Sequence, residues 1–191
     1  MSRYQERVFS IVRSALSPVA PVKSALDFGC GDGWYTEALQ REGLCGEARG
    51  VDVKRRERTH VEPLLYDGVT LPFGDRSFDL VFSADVLHHC PDPRASLREM
   101  ARCSERYLLL KDHVYGSPLG YGTLAVLDEL GNRRFGVPSP YRYQQAWEWD
   151  DWLRTEGFLC RTVVHPAPCH VGPLGLLTNG LQFVALWERR T

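Results

Sequence analysis

The chain has 191 residues, 43% hydrophobic and 25% charged, with a formal net charge of −1. That length supports one ordinary domain with its own core, and the balance excludes a disordered or fibrous chain. The near-zero charge gives no electrostatic ground for nucleic acid or an acidic membrane surface as a partner. No apolar run approaches the roughly 18 residues that a membrane-spanning helix needs. Six cysteines, at 30, 45, 90, 103, 160 and 169, include no Cys-x-x-Cys pair, so no metal site is expected from them. With free cysteines and no export signal in the first residues, a cytoplasmic setting is expected.

Tyr4 to Leu16 places apolar residues at helical spacing, and Pro18 and Pro21 end the helix. Ser24 to Phe28 reads as strand one and runs into a turn with glycines at 29, 31 and 33. A helix follows from Trp34 to Glu42, stopped by Gly43, and Glu47 to Val53 reads as strand two. The run Lys54, Arg55, Arg56 and Arg58 reads as a solvated basic loop. Pro63 to Tyr66 is a candidate third strand, followed by Asp67-Gly68 and then by a turn-rich connector from Leu71 to Asp79. Leu80 to Ser83 is a buried fourth strand.

Asp92 followed by Pro93 is a favourable start for a helix that runs to Cys103. Tyr107 to Lys111 is strand five, with Asp112 and His113 expected at its far end. The stretch 114–146 breaks the alternation and reads as a partly helical, substrate-side insertion over one edge of the sheet. Gln145 to Glu156 is amphipathic, and Phe158 to Val164 and Leu181 to Trp187 are two strands joined by a Pro- and Gly-rich connection.

Strands alternating with helices predict a single α/β domain over residues 1–191. Its core is a Rossmann-like, doubly wound and mostly parallel sheet whose last strand is antiparallel. Ligands of such sheets bind outside the carboxyl ends of the strands. That rule collects Gly29 to Gly33, Asp52, Asp67, Ser83 to Asp85 and Asp112 along one rim.

The segment LDFGCGDG, Leu26 to Gly33, has the strand, tight turn and helix start of a cofactor loop. A dinucleotide fingerprint starting at Gly29 would need glycine or alanine where Trp34 stands, which weighs against a nicotinamide oxidoreductase. Here the sequence resembles the class I S-adenosylmethionine-dependent methyltransferases, in particular their small-molecule, ubiquinone-methyltransferase-like group. LDFGCGDG resembles the first motif, and GVDV ends in the acidic residue of the second. DGVTLPFGDRSFDLVFSADVLHHCPDP resembles the adenine-side turn, the fourth strand and its exit loop. The resemblance covers residues 24 to 112.

It implies S-adenosylmethionine as cofactor and S-adenosylhomocysteine as product. The backbone from Gly29 through Cys30 and Gly31 to Gly33 would leave room for the methionine portion, with the Asp27 and Asp32 carboxylates near its ammonium and sulfonium charges. Asp52 would accept the ribose hydroxyls, with Val53 beside it. Asp67 and Gly68 would meet the adenine, and Ser83 and Ala84 would line the methionine side through their backbone. Each aspartate read singly fits a turn or a helix cap as well.

Methyl transfer needs positioning and exclusion of water, and a hydroxyl acceptor benefits from a base. His113 with Asp112 is the preferred catalytic pair, and His88 is the second candidate. Phe135, Tyr141, Tyr143, Trp147 and Trp149 would wall a pocket for a small apolar or aromatic acceptor, or form the core of the insertion. Asn132, Arg133 and Arg134 could anchor a polar group, and Pro166 to Leu177 could close another side or serve a homodimer. O-methylation is slightly preferred over N- and C-methylation. An RNA methyltransferase and a catalytically silent binding partner of the same fold stay open.

Overall fold

The computed structural model describes residues 3–132 and 140–190. In chain order the elements are α1 (Arg3–Leu16), β1 (Val22–Phe28), α2 (Trp34–Arg41), β2 (Cys45–Asp52), β3 (Leu64–Leu65), β4 (Phe78–Ala84) and α3 (Pro93–Cys103). Then come β5 (Ser104–Tyr115), α4 (Pro118–Asn132), β6 (Gln144–Gln145), α5 (Glu148–Thr155), β7 (Phe158–Val164), α6 (Gly172–Thr178) and β8 (Gln182–Arg189). The main sheet has the order β3-β2-β1-β4-β5-β8-β7, with β6 paired to the end of β5. The first five strands in that order run parallel, and β8 is antiparallel to both of its neighbours. This is the expected doubly wound sheet with an antiparallel last strand.

The strands bury both faces by alternation. On β5, Tyr107 and Leu109 join the core beneath α1 and α2, while Leu108 and Leu110 join the core beneath α3 and α5. Val184 and Leu186 of β8 face the first of these cores, and Phe183, Ala185 and Trp187 face the second. Helix α1 contributes Val8, Phe9 and Val12, and α3 contributes Leu97 and Met100. At the start of α3, Asp92 caps the helix by accepting the Ala95 N–H at 3.0 Å, with Pro93 at the first position.

Three expectations are corrected. Strand β5 continues to Tyr115, so Asp112 and His113 lie inside it, with Lys111, rather than beyond its end. Their buried polar groups find partners on β4's exit loop, α1 and β8, which lets a strand keep such residues in its interior. The insertion covers the carboxyl end of β5, an inner strand, and not a sheet edge: α4 packs on β5, and Val114 pairs with Gln144. The Pro- and Gly-rich connection before β8 contains a helix, α6, with Pro173 in its first turn.

Candidate functional site

The chain leaves β1 and turns through Gly29, Gly31 and Gly33, all at positive φ (71°, 60° and 76°). A Cβ on Gly29 would lie 2.4 Å from Val86 Cγ1, and one on Gly33 would lie 2.7 Å from the backbone N and O of Val61. Neither position accepts a side chain, so the turn, the β4 exit and the basic loop can close on one another. A Cβ on Gly31 would meet no described atom within 4 Å, which makes it the open part of the turn. The Gly29 and Cys30 N–H groups donate to Val51 O at 2.9 and 3.0 Å and fix the turn against β2.

Asp52 ends β2 beside that turn. Its Oδ2 accepts the Gly31 N–H at 2.8 Å and its Oδ1 accepts the Lys54 N–H at 3.0 Å, leaving lone pairs on both oxygens for two hydroxyls. The neighbouring Val53 is exposed, and its Cγ1 is 3.2 Å from the Cβ position of Gly68, so Val53 and Gly68 share one wall. Asp67 forms a tight Asx turn in which Oδ1 accepts from Val69 N at 2.8 Å and Thr70 N at 2.9 Å. Those donors hold its carboxyl below the usual range. Ser83 Oγ donates to Phe28 O at 3.1 Å and ties the end of β4, with Ala84, to the end of β1.

Three residues of the first motif have structural work. Asp27 is buried beneath the turn, where Oδ2 accepts the Thr36 hydroxyl at 2.7 Å. Its carboxyl is therefore not presented at the open face, contrary to the role expected from the sequence. Burial pushes Asp27 up to about 7, against 3.8 for the free side chain. Cys30 is buried against Gly50, and burial raises its thiol, so only its backbone belongs to the turn. Asp32 Oδ1 accepts the Trp34 N–H at 3.1 Å and its carbonyl accepts the His60 N–H at 2.6 Å. The basic loop is thus folded over the start of α2.

The raised Asp27 carboxyl has a consequence for stability. Between pH 3.8 and about 7 the folded chain holds a proton that the unfolded chain has lost, so this group removes stability as pH rises through that interval. Asp27→Asn, which cannot ionise, is expected to gain on the wild type by up to about 4 kcal/mol between pH 4 and pH 8. Urea denaturation at the two pH values checks this, and a gap independent of pH contradicts it.

A second set of polar side chains gathers where β5 passes the loop after β4. Asp112 is buried; its Oδ1 lies 2.6 Å from His88 Nδ1 and 3.2 Å from His113 Nδ1, and its Oδ2 accepts the Leu87 N–H at 3.0 Å. Burial opposes a charge on His88, but the Asp112 and Asp128 carboxylates outweigh it and push the imidazole up to about 10. Burial holds His113 below its ordinary value, and Lys111 and His88 act in the same sense. His89 is pushed down to about 4 by burial and by His88.

On the α1 side, Lys111 Nζ donates to Tyr4 Oη at 2.6 Å and to Gln182 Oε1 at 2.7 Å, and it pairs with Asp85. Tyr4 Oη in turn donates to Asp85 Oδ2 at 2.8 Å. A cavity of about 160 Å³ lies between these two sets, bordered by Tyr4, His113, Leu124, Asp128, Tyr143 and Gln182.

A family model described as a methyltransferase domain matches residues 26–106, the stretch from β1 into β5. The chain is 31% identical over 122 residues to an "Uncharacterized methyltransferase" of Mycobacterium sp. (strain JLS), covering 59% of this chain and 47% of that protein. It is 33% identical over 105 residues to a demethylmenaquinone methyltransferase of Corynebacterium efficiens, covering 53% and 45%. The chain spans about half the length of the curated relatives it matches. Its fold matches that of magnesium protoporphyrin IX methyltransferase from Synechocystis, solved with bound S-adenosylhomocysteine, at a TM-score of 0.63 and 20% identity over 98% of this chain and 84% of that one.

Residues 26–106 match a methyltransferase domain, and the chain has the fold of the S-adenosylmethionine-dependent methyltransferases.

Within this methyltransferase domain the structure brings Gly29, Gly31, Gly33 and Asp52 together at adjoining strand ends, with Val53, Asp67 and Gly68 in continuation. Of the aromatic candidates, Tyr143 borders the cavity, whereas Trp149 is core against Phe183. Trp147 packs on His165 and Phe183. Phe135, Arg133 and Arg134 lie outside the described residues, as does the side chain of Asn132. Sequence reasoning missed Asp128 and the Lys111–Asp85–Tyr4–Gln182 set. A lysine inside an otherwise apolar strand was the available signal for the latter. No helix among the described residues is long and apolar enough to cross a membrane.

Proposed function

We propose that the chain transfers a methyl group from S-adenosylmethionine to a small apolar or aromatic acceptor, with a hydroxyl oxygen as the favoured acceptor atom. The observation that carries this reading is the open glycine turn joined to Asp52 across the parallel β1–β2 pair. A side chain at Gly31 would fill the space beside Asp52, and the carboxylate there retains two acceptors for vicinal hydroxyls, so the donor set fits an adenosyl cofactor. In this reading the backbone from Gly29 to Gly33 and of Ser83 and Ala84 holds the amino-acid portion, Asp52 holds the ribose, and Val53, Asp67 and Gly68 hold the adenine. Bound, the cofactor supplies an activated methyl group on a sulfonium.

The chain's own share is orientation, exclusion of water and removal of one proton. The cavity of about 160 Å³ would take a small acceptor, with Leu124 and Leu127 as apolar wall and Tyr143 as aromatic wall. His113 borders it. With its Nδ1 proton directed to Asp112, Nε2 is the nitrogen left to take a proton from an acceptor hydroxyl. His88, buried on Asp112, orients that carboxylate rather than meeting the acceptor. The exposed Leu176 and Leu177 of α6 support the expectation that two copies meet there.

Methyl-labelled cofactor, incubated with a panel of small phenols, carboxylic acids and aromatic amines, tests the reading by mass spectrometry. Label on a hydroxyl-bearing acceptor is expected. Label confined to amines or carbon would overturn the oxygen preference. Cofactor binding with no label on any acceptor, together with a stable protein partner, would favour the silent binding role.

A further inference from the structure

Three metal-ligating side chains far apart in sequence converge where the loop after β4 meets α4. His88 Nε2 is 3.5 Å from Asp128 Oδ1, and His89 Nε2 is 3.9 Å from the same oxygen. One ligating atom from each of the three lies within 4.8 Å of the others. Around a tetrahedral ion with bonds of about 2.0–2.1 Å, neighbouring ligand atoms are about 3.3 Å apart. The Asp128 separations are thus longer than a good hydrogen bond and close to what a shared ion requires.

The surroundings prepare the same atoms. The other ring nitrogen of His88, Nδ1, is 2.6 Å from Asp112 Oδ1 in a fully buried contact. A carboxylate behind a histidine fixes its proton on the far nitrogen and turns the near lone pair toward a metal. Tyr143 Oη donates to Asp128 Oδ2 at 2.8 Å, which orients that carboxylate with Oδ1 toward the histidines. His88, Asp112 and His113 also cluster, but a separation of 2.6 Å between His88 and Asp112 is a hydrogen bond and too short for two ligands of one ion. Asp112 therefore belongs outside the ligand set.

We propose that His88, His89 and Asp128 bind one divalent transition-metal ion of the zinc class, with Asp112 as the supporting carboxylate of His88. Two imidazoles and one carboxylate select such an ion over magnesium or calcium, which take oxygen ligands. Three protein ligands leave a coordination position for water or a substrate oxygen. Asp128 also borders the cavity that His113 faces, so the ion would join α4 to the β4 exit loop at the edge of the acceptor space. The ligand positions alone carry this inference, which is independent of the cofactor reading.

Chelator-treated, full-length protein titrated with Co2+ tests it. One Co2+ per chain is expected, with the intense visible d–d bands of four- or five-coordination, displaced by Zn2+. His89→Ala and Asp128→Asn are each expected to abolish those bands, and Asp112→Asn to weaken binding about 10–100-fold at unchanged stoichiometry. His60→Ala, an exposed histidine away from the cluster, should leave binding unchanged. Should a variant fail to fold by circular dichroism, the wild type still decides, since Zn2+ bound to the folded state must raise its unfolding temperature. Absence of both the bands and the thermal shift overturns the site. Undiminished bands in His89→Ala and Asp128→Asn overturn it as well, because the ion is then held elsewhere.

Discussion

Asp52→Ala is expected to weaken S-adenosylhomocysteine binding by about 100-fold or more. Two losses add in this variant. The carboxylate can accept two ligand hydroxyls, and hydrogen bonds to a charged group contribute about 1.5–3 kcal/mol each. The same carboxylate receives the Gly31 and Lys54 N–H groups, so its removal also loosens the turn against which the ligand would bind. Asp52→Asn should lose less, because the amide oxygen keeps one acceptor. Calorimetric titration measures both variants, and an affinity for Asp52→Ala within about twofold of wild type contradicts the assignment.

His113→Ala is expected to lower kcat for a hydroxyl acceptor by about 10²–10⁴-fold, the usual worth of a positioned base, while cofactor affinity stays within about twofold. The separation of effects follows from place. His113 borders the cavity on β5, two strands from β1 and three from Asp52's strand, and no described hydrogen bond links it to the glycine turn. An amine acceptor, which needs orientation more than a base, should suffer less. Added imidazole should restore part of the hydroxyl reaction. Equal losses in kcat and cofactor affinity would remove His113 from the chemistry and leave it a packing role.

What could be read from the sequence was what short spacing controls. The turn from Gly29 to Gly33 was visible because an apolar run, alternating glycines and a helix start follow one another within a few residues. Asp92-Pro93 marked the start of α3 for an equally local reason. The order of strands and helices then placed Asp52 beside the turn.

What escaped depends on partners distant in sequence. Lys111, Asp112 and His113 looked like the end of a strand because polar residues usually leave the sheet there. Asp85, His88 and Gln182 compensate their burial, and none of those partners is near them in sequence. The Asp27 carboxylate looked available to a ligand, but Thr36, in the first turn of α2, holds it. Asp128 carries no signal of its own in α4. Its meaning comes only from the fold that brings it to His88 and His89.

The central claim is that the rim from Gly29 through Asp52 to Asp67 holds an adenosyl cofactor whose reactive end faces the cavity at His113. A crystal structure of the wild-type chain with S-adenosylhomocysteine tests it most directly. Both ribose hydroxyls are expected on Asp52, the adenine against Val53 and Gly68, and the sulfur turned toward the cavity bordered by His113 and Tyr143. Ribose bound away from Asp52, or the sulfur closed off from that cavity, would contradict it.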